Sequence, residues 1–148
     1  MARNPWTETL TLAAENGDFP RLQAFIERVC VTAGCDAGQA ARTQIVVEEL
    51  FTNTIKYGRM KTATATVIVT AEAVDEKTLV VCYEDTAPPH DPFGNPEKME
   101  DLLVSLTHRR VGGLGVVMIQ QLGRNVRYEW SGGKNRVIFS VATEMPPL

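Results

Sequence analysis

Glu49 and Asn53 stand one helical turn apart in EELFTNTIKYG (48–58), a stretch that otherwise reads as a buried helix. At about 100° per residue, Val46, Leu50, Phe51, Thr54 and Tyr57 form its apolar arc. Asn53 falls beside Val46 and Tyr57 on that wheel, Glu49 lies just outside the arc, and Glu48 points away. A carboxylate and an amide on a face that meets a cleft could hold a hydrated Mg²⁺ and orient a nucleophile. That ion prefers few protein ligands, several waters and substrate phosphates. The alternative is a solvated border in which Glu49 pairs with Lys56. For so common a spacing, taken alone, that alternative prevails.

Two further stretches could carry chemistry. Glu84-Asp85-Thr86-Ala87-Pro88-Pro89 leaves the end of an apolar strand. A carboxylate there could accept a hydrogen bond from an exocyclic amine such as that of adenine, although Asp before prolines also begins ordinary loops. Arg109-Arg110-Val111-Gly112-Gly113-Leu114-Gly115 runs straight into a helical pattern. Glycines let backbone approach a polyphosphate, N–H groups at a helix start bind anions, and arginines answer phosphate charge. This is neither a P-loop, since no Gly-Lys-Ser/Thr follows, nor a dinucleotide fingerprint, since no strand precedes it. A flexible glycine hinge is the competing reading.

The elements that must position these residues follow from periodicity. Residues 7–15 suit a first strand, ended by the turn signal Asn16-Gly17-Asp18. Asp18 is expected to cap a helix whose Leu22, Phe25, Ile26 and Val29 recur at helical spacing, with Gly34 closing it. The second helix should run from Ala37 to Tyr57, with Gly58 beyond it. Threonine- and valine-rich residues 62–74 and then 78–85 read as strands joined by Asp75-Glu76-Lys77. Residues 87–113 form a connection far longer than usual, as lids and binding loops do. A third helix is expected over 113–123. Two last strands then flank a somewhat long turn at Ser131-Gly132-Gly133-Lys134-Asn135. The order predicts an α+β domain, a two-layer sandwich with three main helices on one face of a mostly antiparallel sheet of about five strands.

With 148 residues, 44% of them hydrophobic, the chain can bury one real core, and one domain spanning 1–148 is expected. A net charge of −3 offers no global attraction to nucleic acid or anionic membrane. The first twenty residues read as neither a secretory signal nor a transit peptide, and no stretch approaches a membrane span. Cys30, Cys35 and Cys82 lack CxxC spacing and lie far from His90 and His108, which favours free buried thiols over disulfides or zinc. His90, beside the lid prolines, could contact a ligand, although a surface histidine is the better reading.

Taken together, a helical ExxxN, a strand-end Asp, a long lid and a glycine-rich helix start form an ordered set around one cleft. This order resembles the GHKL (Bergerat-fold) ATPases. QIVVEELFTNTIKYG looks like their N-box, YEDTAPPHDP like their G1 box, and GGLGVVMIQQL like their G2 box. The compact size, the D-x-A-P-P-x-D-P wording and the ending YEWSGGKNRVIFSV are most similar to bacterial anti-sigma-factor serine/threonine kinases. The resemblance spans residues 7–141 and implies the fold and the cofactors, ATP and Mg²⁺. By position it implies that Asn53 coordinates Mg²⁺, that Glu49 is the base or water-orienting carboxylate, and that Asp85 recognises adenine. Ala87 stands in the G1 box where many members have glycine. Gly113, Leu114 and Gly115 frame the phosphates, and Arg110, or its neighbour Arg109, meets the terminal phosphate. Asn135 stands near where many members have a threonine.

The activity so implied is phosphorylation of a Ser or Thr on a small anti-anti-sigma (STAS-type) partner, with sequestration of a sigma factor and partner exchange, in a bacterial cytoplasm. The resemblance also allows a homodimer. A non-catalytic ATP-binding module and a simple ATP hydrolase are the alternatives. No helix with a phosphoaccepting histidine precedes the domain in these residues, so a complete two-component histidine kinase is not expected of this chain.

Overall fold

A computed structural model of the chain describes residues 5–58, 64–75, 77–91 and 124–142. Five strands form one antiparallel sheet in the order β1-β2-β3-β5-β4, with β1 Trp6–Ala13, β2 Thr66–Ala73, β3 Thr78–Asp85, β4 Arg124–Ser131 and β5 Lys134–Ala142. Two long helices, α1 Phe19–Ala33 and α2 Ala37–Gly58, pack on each other, and α2 packs on β3 and β5. The third expected helix, 113–123, and most of the expected lid lie outside the described residues.

The helices form where the periodicity places them. α1 buries Leu22, Phe25, Ile26 and Val29 as its spacing requires, and Cys30 and Ala33 continue the same stripe. Pro20 sits in its first turn, where a missing N–H costs nothing. Asp18 occupies the N-cap position but makes no side-chain cap bond, contrary to expectation. Its Oδ2 instead accepts the Ala13 N–H at 2.9 Å, tying the helix start to the end of β1, and its Oδ1 lies 3.6 Å from Arg21. At the other end Gly34 adopts φ 84°, and the Gly34 and Cys35 N–H groups donate to Val31 and Cys30 carbonyls, a Schellman closure. α2 opens on a reciprocal box. Asp36 Oδ1 accepts the Gln39 N–H at 2.7 Å, and Gln39 Oε1 accepts the Asp36 N–H at 2.8 Å.

Alternation along the strands sorts the sheet into two faces. Val67, Val69 and Ala71 of β2, Leu79, Val81 and Tyr83 of β3, and Val137 and Phe139 of β5 are all buried under the helices. The valine, leucine and phenylalanine side chains among them each contribute about 1.5–3 kcal/mol when fully removed from water. Because the side-chain period is two, this inward row runs on in β3 to Asp85 and in β5 to Asn135, which pair across the two strands. Val67 of β2 stands opposite Asp85 on the other side. The last hairpin is tighter than the five-residue turn expected. Only Gly132 and Gly133 lie between the strands, at φ 61° and 76°. Positive φ at both positions matches the right-handed twist of the flanking strands, and only glycine adopts it without strain. All three cysteines are free; Cys30 is buried, and Cys35 and Cys82 are half-buried.

Candidate functional site

The inward row of the sheet turns polar at one end, and a pocket opens there between α2, β3 and β5. Its lining includes Leu50, Asn53 and Thr54 from α2, Tyr83 and Asp85 from β3, Ala87 and His90 beyond that strand, and Asn135 and Val137 from β5. The space amounts to about 340 Å³, counting the part open to solvent.

Asp85 is 8% exposed, a carboxylate held on the core side of a strand. Burying a charge is costly unless hydrogen bonds replace its water, and here they do. Oδ2 accepts the Thr54 hydroxyl at 2.5 Å, and Oδ1 accepts Asn135 Nδ2–H at 2.8 Å and the Ala87 N–H at 3.1 Å. The Tyr83 hydroxyl lies 2.7 Å from Thr54 Oγ1, completing a chain Tyr83–Thr54–Asp85. With the Thr54 proton directed at Asp85, Tyr83 is the donor of that pair. Burial pushes the Tyr83 hydroxyl well above the ordinary phenol range, so it stays a neutral donor.

Of the site residues expected from sequence, the structure brings Asn53, Asp85 and Ala87 to this one pocket. Glu49 lies one turn before Asn53 on α2 and is half-buried, but it is not among the residues that line the pocket. Its carboxyl is raised above the ordinary carboxylate range, chiefly by burial and next by the charge of Glu48. Glu48 is not among the pocket-lining residues, in keeping with its place on the helical wheel. It is half-buried toward α1, where its Oε1 accepts Gln23 Nε2–H at 3.3 Å, because α1 packs along the flank of α2 that carries it. Arg109, Arg110, Gly113, Leu114 and Gly115 lie outside the described residues.

Three contributors were not legible as such. Thr54 was assigned to the apolar arc, and it is indeed buried, yet its hydroxyl orders Asp85. Tyr83 read as an ordinary strand residue. His90 contributes to the pocket lining, where a surface histidine was expected. Asn135 was flagged only by the resemblance and read as part of the turn, whereas the structure puts it on the inward period of β5.

The described residues contain no group of three or more His, Cys, Asp or Glu that could hold a metal ion. The donor chemistry on the pocket wall does fit a hydrated Mg²⁺, since the Asn53 amide oxygen is a hard ligand and such an ion takes most of its shell from water and phosphate. Among the described residues no helix is long and apolar enough to cross a membrane.

Set beside known proteins, this helical layer over an antiparallel sheet falls in a class of ATPase domains. The sequence profile of the histidine kinase-like ATPase domain matches residues 12–141, and the chain belongs to that family. No curated protein sequence matches significantly. Among solved structures, the histidine kinase domain of the Erythrobacter litoralis EL346 blue-light activated histidine kinase is similar in fold. It gives a TM-score of 0.50 at 18% identity, covering 91% of this chain and 67% of that one. The catalytic domain of histidine kinase ThkA gives a TM-score of 0.49 at 14% identity over 92% of this chain and 98% of its own.

Proposed function

We propose that this domain binds Mg·ATP in the pocket at the end of the inner row and transfers the terminal phosphoryl group to a Ser or Thr hydroxyl of a partner protein. The observation that carries this reading is the juxtaposition of Asp85, buried and held by three donors, with Asn53 on the same pocket wall, one helical turn from Glu49. Asp85 accepts the exocyclic amine of the base. Asn53 is the residue that would hold Mg²⁺, which when bound offsets the charge of the triphosphate. Glu49 accepts the proton of the incoming hydroxyl as its oxygen bonds to the terminal phosphorus and ADP leaves. Its raised proton affinity makes it a better base than an ordinary surface carboxylate. Ala87 closes the base side of the pocket, while Gly113, Leu114, Gly115 and Arg110 are proposed for the phosphates. The acceptor is proposed to be a STAS-type anti-anti-sigma protein in a bacterial cytoplasm, with a sigma factor as the second partner, on the wording shared with anti-sigma-factor kinases.

Calorimetry with Mg·ATP on the native chain and on Asn53→Ala tests the site. Binding that the substitution greatly weakens supports it, and no binding by the folded native chain overturns it. Phosphate transfer to a serine-bearing STAS-type domain tests the kinase reading. ATP binding without transfer would identify a binding module, and phosphate release without any acceptor would identify a hydrolase.

A further inference from the structure

Asn135 has every hydrogen-bonding group of its amide engaged by protein. Its Nδ2 donates to Asp85 Oδ1 at 2.8 Å, to the Pro88 carbonyl at 3.0 Å and to the Ala87 carbonyl at 3.1 Å, so two hydrogens serve three acceptors. Its Oδ1 accepts the Tyr128 hydroxyl at 2.7 Å and the His90 N–H at 2.8 Å. The backbone N–H of His90 fixes which way the amide faces, because a flipped amide would set donor against donor. One residue, 6% exposed, thereby ties β5 to β4 through Tyr128, to the segment 87–90 that walls the pocket, and to the carboxylate itself.

We infer that Asn135 is a positioning residue for base selection: it holds Asp85 in one orientation before any ligand arrives and makes no polar contact with the ligand. The inference rests on the nucleotide reading of the pocket. A carboxylate offers about four acceptor positions. Asn135 and Ala87 fill those of Oδ1, and Thr54 takes one on Oδ2. A single acceptor position, on Oδ2, is left for a ligand. An exocyclic amine satisfies it, whereas a base carrying a carbonyl oxygen at that place meets a lone pair with a lone pair. Discrimination of this kind depends on a fixed carboxylate, since a rotated one offers other positions to other bases. Without Asn135, Oδ1 loses a donor and the 87–90 segment loses its side-chain anchor on β5, so the carboxylate is free to turn.

The test is calorimetry of Mg·ATP against Mg·ITP, whose base carries a carbonyl where adenine has its amine. The proteins are the native chain, Asn135→Ala and Asn135→Leu, the last retaining the side-chain shape if the alanine variant does not fold. The native chain should prefer ATP by about tenfold or more, the range set by one hydrogen bond to a charged group. In the folded variant the preference should fall to within about threefold of unity, chiefly through weaker ATP binding. Equal losses for both nucleotides, or an unchanged preference, would show a merely structural role and overturn the inference while leaving the nucleotide site intact. Failure of the native chain to bind ATP would overturn the nucleotide reading and this inference together.

Discussion

Two ends of one inward-facing row behave differently. At the middle of the sheet, Val69, Ala71, Val81 and Phe139 meet the helices through apolar contact alone. At the end of the same row, Tyr83, Thr54, Asp85 and Asn135 meet through short hydrogen bonds. Apolar packing is non-directional, so the middle responds to lost volume. The polar end responds to a lost partner, because each buried donor or acceptor left alone bears its own desolvation cost. Stability therefore resides mainly in the first region, and ligand selection in the second.

The largest effect should come from the apolar middle. Phe139, 1% exposed, replaced by alanine should destabilise the fold by about 3–5 kcal/mol. Denaturant unfolding measures this, and a loss under 1 kcal/mol would mean that Phe139 is not a core residue. Asp85→Asn should separate the regions most clearly. ATP affinity should drop about a hundredfold, while stability falls by only about 1–3 kcal/mol, because the amide keeps one acceptor oxygen for Asn135 and Ala87 but sets an NH2 group where Oδ2 accepted the Thr54 hydroxyl. An Asp85→Asn variant that binds ATP normally would remove the carboxylate from base recognition. Smaller again, Tyr83→Phe removes one buried hydroxyl from Thr54 and should cost about 1 kcal/mol, with ATP affinity nearly kept.

The smallest effect on stability concerns Glu49 and carries a sign. Its folded pKa lies above the ordinary 4.5, so the folded state binds that proton more tightly than the unfolded chain. The stabilisation from the neutral form is complete below about pH 4.5 and is lost as pH rises through the folded value. Glu49→Gln, permanently neutral, should therefore melt at or slightly above the native temperature at pH 7, with the difference vanishing near pH 4. Phosphoryl transfer should be abolished in the same variant and nucleotide binding retained. A Gln variant less stable than native at pH 7 would contradict the burial of this carboxylate, and unchanged transfer would remove its role as base.

Much of the scaffold was legible because it rests on local rules. Apolar spacing placed α1 and α2 within a residue or two, and Gly34 closes α1 in the left-handed conformation its position called for. The turn Asp75-Glu76-Lys77 and the apolar run after it placed β3 at its observed bounds, 78–85. Asp18 misled because an acidic residue before a helix can either cap it or reach back, and the nearby end of β1 offered a free N–H. The helical wheel gave the direction of Glu48 but not the neighbour that fills it, which is Gln23 of α1.

The sequence by itself determined the period of the helices, the position of Asp85 at the end of an apolar strand, and the order of motifs by which the family is recognised. Only the tertiary structure decided what Asp85 touches. Thr54 is 31 positions away and Asn135 is 50 positions away. No local preference encodes such pairs. They arise when β5 pairs beside β3 and α2 settles on the inner face of that sheet, and a buried carboxylate is stable there only where the fold supplies its donors.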